Sequence, residues 1–290
     1  MKVFVSANNK GGVGKTLVSA LFAEYASKVL GYRVLYIDLD SQCNSSQRYL
    51  KMESDPLYPQ GWLPPLHPDF DPTSDEDQEW DGRSSIADIF FGGGVIPYPT
   101  FISTLHIAPA HAYRLIIAEQ VRRNEVTEKI HTRLKEFLSL SEVKQEYDLV
   151  VIDTAPSKGP LTVSAIKAAS HIIIPSVMEI QPINGIFGML QLWMQESLTR
   201  EVGNQINLIG ILPNKFDPRT TLHRDNYDDL QKNESVNKYL LSTKIHNRII
   251  FAEADSAAAN PKSIFDLPIV SQARIEALAA CEFIAERVFA

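Results

Sequence analysis

Apolar residues fall along this chain in two alternating rhythms, and the alternation predicts a fold class. Short continuous apolar runs at 3–6 and 33–38 read as strands, and between them 15–30 carries helical spacing. The same alternation returns with strand-like runs at 149–153, 171–176 and 206–212, separated by helical stretches at 160–169 and 183–199. Runs that apolar suit strands buried on both faces, which is the condition of a parallel sheet between helical layers. The prediction is an α/β fold: a mostly parallel twisted sheet flanked by helices. At 272–290, Ile275, Leu278, Ala279, Phe283 and Ile284 recur at three- and four-residue spacing and predict an amphipathic closing helix. No internal repeat is visible.

One segment breaks the rhythm. Residues 53–82 hold nine acidic side chains, no Lys or Arg, and six of the chain's 17 prolines. That composition opposes both a helix and a central strand. Trp62, Leu63, Leu66, Phe70 and Trp80 nevertheless give the segment apolar groups with which to dock. The expected organisation is a single domain over 1–290 with an acidic, Pro-rich insertion at about 53–82. The formal net charge of −7 argues at first against an electrostatic DNA binder. Setting the insertion's nine negative charges aside leaves the remainder at +2, so the acidity belongs to the insertion and the objection lapses. With only Cys43 and Cys281 there is no disulfide framework and no four-cysteine zinc site. The N-terminus has no signal-peptide core, and no run of about 18 apolar residues follows it. A cytoplasmic protein is expected.

The chemistry begins at Lys10-Gly11-Gly12-Val13-Gly14-Lys15-Thr16, between the first strand and the first helix. Three glycines let the backbone curl so that successive N–H groups face phosphate oxygens, and the following helix N-terminus adds its partial positive charge. Lys15 is placed to reach the β- and γ-phosphates, and the Thr16 hydroxyl to ligate Mg²⁺. The general phosphate-loop pattern wants a glycine six positions before Lys15, where Asn9 stands instead, and this loop carries an additional lysine, Lys10.

That deviant Walker A motif resembles the ParA/MinD family of P-loop ATPases, in which the extra lysine, here Lys10, reaches across a nucleotide-sandwiched dimer to the partner subunit's phosphates. Asp38-Leu39-Asp40-Ser41-Gln42-Cys43-Asn44 is similar to the family's switch I segment, with Ser41 and Cys43 in place of its usual Pro and Gly. By resemblance Asp40 orients the attacking water and Asp38 is an outer contact of the metal. Leu149-Val150-Val151-Ile152-Asp153 looks like the Walker B strand, which makes Asp153 a Mg²⁺ residue acting through water or the Thr16 hydroxyl. Lys158, just beyond, is expected on the surface.

The implied ligands are ATP and Mg²⁺. The binding set is Gly11, Gly12, Val13, Gly14, Lys15, Thr16 and Leu17, joined by Pro213 and Asn214 from the late strand end. Asn214 has the donor and acceptor pair needed to read an adenine edge, and the same amide equally suits a structural strand-end turn. Phe251 or its neighbours are expected against the base. The resemblance covers roughly residues 1–50 and 84–290.

It implies a homodimer formed on ATP binding, nonspecific DNA as a ligand, and a ParB-like or adaptor protein that stimulates hydrolysis. Such a protein positions or segregates a cargo and associates with the nucleoid. A nitrogenase-reductase-like role fails because Cys43 and Cys281 are misplaced for a shared cluster. A MinD-like membrane cycle is disfavoured, since residues 276–290 hold three Glu and one Arg where a basic amphipathic helix is wanted. With the motif at residue 10, no N-terminal helix-turn-helix domain is expected. The seven histidines show no metal-like clustering.

Overall fold

A strand, a glycine loop and a helix return to a parallel neighbouring strand at the start of the chain, and this unit sets the architecture. The computed structural model describes residues 1–73, 80–254 and 259–290. In it β1 (Lys2–Ser6) leads through α1 (Lys15–Lys28) to β2 (Val34–Leu39) and the short helix α2 (Asn44–Tyr49). A small antiparallel pair, β3 (Glu53–Ser54) and β4 (Trp62–Leu63), follows, then β5 (Tyr98–Pro99) and β6 (Leu105–Ala108). Three helices, α3 (Ala112–Glu119), α4 (Asn124–Ser139) and α5 (Ser141–Glu146), precede β7 (Leu149–Thr154). The chain continues through α6 (Pro160–Ala168), β8 (His171–Ser176), α7 (Ile180–Leu198) and β9 (Asn207–Pro213). It closes with α8 (Thr221–Lys232), α9 (Ile249–Glu253) and α10 (Gln272–Val288).

Seven strands form one sheet in the order β5-β6-β2-β7-β1-β8-β9, parallel throughout except for the edge pair β5 and β6. Every residue of β2, β7 and β8 is buried, which is why these strands read as unbroken apolar runs. Across one face α1 and α10 pack, with Phe4 of β1 against Phe22 of α1 at a ring separation of 4.6 Å. The opposite face carries a second core that includes Leu115, Leu134, Ile166 and Ile186 from α3, α4, α6 and α7. Among the described residues no helix is long and apolar enough to cross a membrane.

The closing helix forms where the periodicity places it, but a different stripe faces inward. Ala273, Ala277, Ala280, Cys281, Ile284 and Val288 are buried, whereas Ile275 is exposed and Leu278 and Phe283 sit at the margin. Small residues let α10 lie close to α1, so bulk is on the flanks rather than at the contact.

The described part of 53–82 docks through aromatic contacts. Buried His67 lies 4.5 Å from the Tyr98 ring and 5.8 Å from Trp80, and Trp80 meets Phe70 at 5.4 Å. The Tyr98 hydroxyl donates to the Pro65 carbonyl at 2.8 Å, and the Trp80 indole N–H to that of Arg83 at 2.7 Å. Asp75, Glu76, Asp77 and Glu79, four of the nine acids, lie outside the described residues.

Candidate functional site

In an open parallel sheet the carboxyl ends of the strands form the natural crevice for a ligand. Here the ends of β1, β2, β7 and β9 surround a cleft of about 420 Å³ lined by Gly11, Gly12, Gly14, Lys15, Thr16, Leu17, Asp40, Gln42, Asn44, Pro156, Lys215, His246, Asn247, Arg248, Phe251 and Ala252. The loop after β1 curls as expected: Gly12 and Gly14 adopt φ of 75° and 85°, and the Gly14 carbonyl accepts the first α1 hydrogen bond from Val18 N–H at 3.0 Å. The space beside Gly14 is taken, since a Cβ there would overlap the Asn214 amide nitrogen.

Lys15 is buried, and its ammonium donates to the Lys10 carbonyl at 3.1 Å. Burial lowers its pKa, opposed by the nearby carboxylates of Asp153 and Asp40. A cation held in a loop beneath two acids is poised to be neutralised by an entering polyanion.

The acids converge as well. Asp38 and Asp153 are opposite partners in the β2–β7 register, and both are fully buried. Burial raises both carboxyl pKa values: the neighbouring Asp153 charge adds to the rise at Asp38, while hydrogen bonds from Thr16 and Ser45 restrain it at Asp153. Asp153 Oδ2 accepts from the Thr16 hydroxyl at 2.6 Å and from the Ser45 hydroxyl at 2.7 Å. Its other oxygen, Oδ1, is buried with no hydrogen-bond partner among the described residues. Asp38 is occupied by its own loop: Oδ2 takes the Ser46 N–H at 2.8 Å and hydroxyl at 2.7 Å, and Oδ1 takes the Asp40 N–H at 3.1 Å. Asp40 lines the cleft, with Oδ1 accepting the Gln42 N–H at 2.9 Å.

The sequence pattern did not single out Ser45 and Ser46, the two serines that fasten the start of α2 to both acids. Their position directly after the Asp-x-Asp loop was the available signal. Cys43 adopts φ 57° and ψ 26°, the left-handed conformation that glycine takes most easily. The Cys43 replacement therefore leaves the turn intact.

Two readings of Asn214 at the late strand end were open, and its amide nitrogen donates to the Val13 carbonyl at 2.8 Å, while its carbonyl oxygen is buried with no hydrogen-bond partner among the described residues. Neither Asn214 nor Pro213 lines the cleft; the next residue, Lys215, does. Pro213 is buried at the end of β9, its carbonyl accepting the Ile245 N–H at 3.0 Å. Asn214 thus braces the phosphate loop from behind, the strand-end alternative among its two readings. Phe251 lines the cleft, beside Arg248, whose guanidinium is gripped by Glu276 of α10.

Helix α7 presents glycines where the loop approaches. A Cβ on Gly185 would overlap Asn8 Oδ1 and stand 2.6 Å from Asn9 Oδ1 and 2.8 Å from Lys10 Cγ. The ammonium of solvent-exposed Lys158 lies over Gly188 in the same way. Alanine for glycine inside a helix ordinarily stabilises by about 0.5–1 kcal/mol. Gly185→Ala is expected to destabilise instead, by about 1–3 kcal/mol, because it overpacks the loop entry. A urea titration checks this, and a raised midpoint would show that α7 and the loop do not press together.

Residues 1–207 match the model of a family described as an AAA domain. A "Putative replication protein A" of Sinorhizobium fredii is 31% identical over 218 residues, which cover 72% of this chain and 47% of that protein. The "Chromosome-partitioning ATPase Soj" of Thermus thermophilus is 27% identical over 259 residues, covering 86% of this chain and 83% of the other. An ATP complex of McdA from Cyanothece superposes with a TM-score of 0.73 at 16% identity, covering 98% of this chain and 96% of that one. The chain belongs to the ParA/MinD family of P-loop ATPases. The ParA/MinD loop therefore sits where family membership requires, between β1 and α1. This chain spans 47% of the length of the Sinorhizobium relative, the first of the three.

Proposed function

We propose that this protein is a ParA-type positioning ATPase that binds ATP with Mg²⁺, dimerises across the nucleotide, binds DNA nonspecifically and hydrolyses ATP when a ParB-like or adaptor protein engages it. The observation that carries the reading is the convergence of Lys10, Lys15, Thr16, Asp40 and Asp153 around the loop. A scaffold that merely held nucleotide would need no acid in the position of Asp40. The name of the Thermus relative, a chromosome-partitioning ATPase, points the same way, and the Cyanothece neighbour is an ATP complex.

In this reading the Gly11–Gly14 amides and the α1 N-terminus hold the phosphates, Lys15 neutralises them, and Lys10 reaches the partner's nucleotide. Thr16 and Asp153 would hold Mg²⁺, and the unpaired buried Asp153 Oδ1 fits a cation. Among the described residues no three His, Cys, Asp or Glu form a metal cage, and an ion held by one or two carboxylates plus substrate phosphates needs none. When bound, that ion would supply charge neutralisation at the phosphates. Asp40 orients the attacking water. Asp38, whose oxygens are tied to Ser46 and Asp40, sets the loop that carries Asp40.

DNA binding is supported by exposed cations in the C-terminal part of the chain, Arg219, Arg224 and Lys232 among them, which a dimer would duplicate on one assembly. We propose a single ATPase domain in which 53–82 is an insertion, and a cytoplasmic, nucleoid-associated location. Light scattering tests the dimer: ATP should double the mass of Asp40→Ala but leave Lys10→Ala monomeric, and a Lys10→Ala protein that dimerises normally would remove Lys10 from the interface.

A further inference from the structure

Behind the cleft, out of reach of any ligand, lies a buried ion pair that the phosphate chemistry does not use. Arg48 of α2 and Glu24 of α1 are 4% and 0% exposed at their side chains. Arg48 Nε and Nη2 both donate to Glu24 Oε1, at 2.9 and 2.8 Å, and the Tyr49 hydroxyl adds a third bond to the same oxygen at 3.2 Å. The rest of the guanidinium turns to another part of the chain: Nη1 donates to the Ala254 carbonyl at 3.0 Å and Nη2 to the Lys262 carbonyl at 3.1 Å.

Those two carbonyls bracket the segment that follows α9, and α9 carries Phe251 and Ala252 into the cleft wall. Two residues before Arg48 in the same helix, Ser46 is bonded to Asp38, and Ser45 is bonded to Asp153. One short helix thus ties the acids of the cleft to its far wall. A fully buried charge pair is a poor way to gain stability, because its desolvation consumes most of the attraction. What a planar five-donor guanidinium offers over an apolar residue is simultaneous, directed bonds to several partners, here Glu24, Ala254 and Lys262 among the described residues.

We propose that Arg48 is a positioning residue that holds the Phe251 wall at the distance a nucleoside requires, and so fixes affinity for the base-bearing part of the ligand and not for its phosphates. The inference rests on the nucleotide reading above. Arg48 touches no ligand; it acts through the backbone at Ala254 and Lys262.

The test compares ADP with inorganic tripolyphosphate, which needs only the loop. Both are titrated by calorimetry into wild type, Arg48→Lys, and the double variant Glu24→Leu/Arg48→Met. Arg48→Lys keeps the charge opposite Glu24 but loses the fork. The double variant replaces the pair with apolar groups, a change that buried pairs often tolerate, and so guards against a single variant that fails to fold. Both variants should bind ADP about tenfold more weakly and tripolyphosphate as wild type does, a tenfold loss being the scale of one or two lost hydrogen bonds. Unchanged ADP affinity overturns the proposal, as does a parallel loss for both ligands, which would make Arg48 a support of the whole loop. A wild type that binds neither ligand sinks the nucleotide reading itself and the inference with it.

Discussion

Asp40→Ala is expected to slow ATP turnover by at least about a hundredfold while leaving ATP affinity within about threefold of wild type, the pattern of a lost water-orienting group. Asp40 stands at the end of β2 on the cleft wall, and its hydrogen bonds among the described residues are to its own loop: Oδ1 takes the Gln42 N–H, and its carbonyl takes the Cys43 N–H at 2.9 Å. Neither bond reaches the Gly11–Gly14 amides, so phosphate binding survives the substitution. Removing a negative charge near Lys15 also removes some repulsion toward an anionic ligand. Single-turnover hydrolysis and a fluorescent-nucleotide titration separate the two effects. A parallel collapse of binding would reassign Asp40 to holding the switch loop.

Gly14→Ala is the substitution with the largest expected effect on folding and binding together. Gly14 has φ 85° and ψ 35°, a left-handed conformation that costs about 1–2 kcal/mol for a residue with a Cβ. The new Cβ would also overlap Asn214, whose buried amide cannot retreat without abandoning the Val13 carbonyl. Leaving those groups unpaired costs about 1–3 kcal/mol more. A stability loss of about 2–5 kcal/mol is expected from the two effects, with nucleotide affinity lower by at least about a hundredfold because the loop amides no longer converge. Thermal unfolding and nucleotide titration measure both. In a double-mutant cycle Gly14→Ala should cost less stability in an Asn214→Gly background than in wild type, whereas an equal cost would leave backbone strain as the sole cause.

Sequence and structure agree most closely where local chemistry and global packing ask for the same thing. The strands at 149–153 and 171–176 were legible because both faces are buried, and nothing polar interrupts them. The loop at Lys10–Thr16 was legible because its geometry admits few residue types. Helix α4 was missed: it faces the core with Ile130, Leu134, Phe137 and Leu138, and the remainder of Asn124–Ser139 is charged and polar enough to pass for a surface segment. The edge strand β5 and its neighbour β6 are two and four residues long, too short for periodicity to register.

Within the site, strand-then-acid and loop-then-helix fix the positions of Asp153 and Thr16, which the fold brings to 2.6 Å of each other. The two readings of Asn214 stayed open because spacing shows which residue ends a strand, and not which way its amide turns; the fold directs its nitrogen to the Val13 carbonyl. The grip of Arg48 on Ala254 and Lys262 spans more than two hundred positions, and no local pattern announces it.

The central claim is that nucleotide state, through Lys10, switches DNA binding on and off. Co-sedimentation with duplex DNA of arbitrary sequence tests it most directly, using wild type and Lys10→Ala in ATP, in ADP and without nucleotide. Wild type should pellet with DNA in ATP alone, less so as salt rises, and Lys10→Ala should stay in the supernatant throughout. Equal DNA binding by wild type in all three nucleotide conditions would contradict the account.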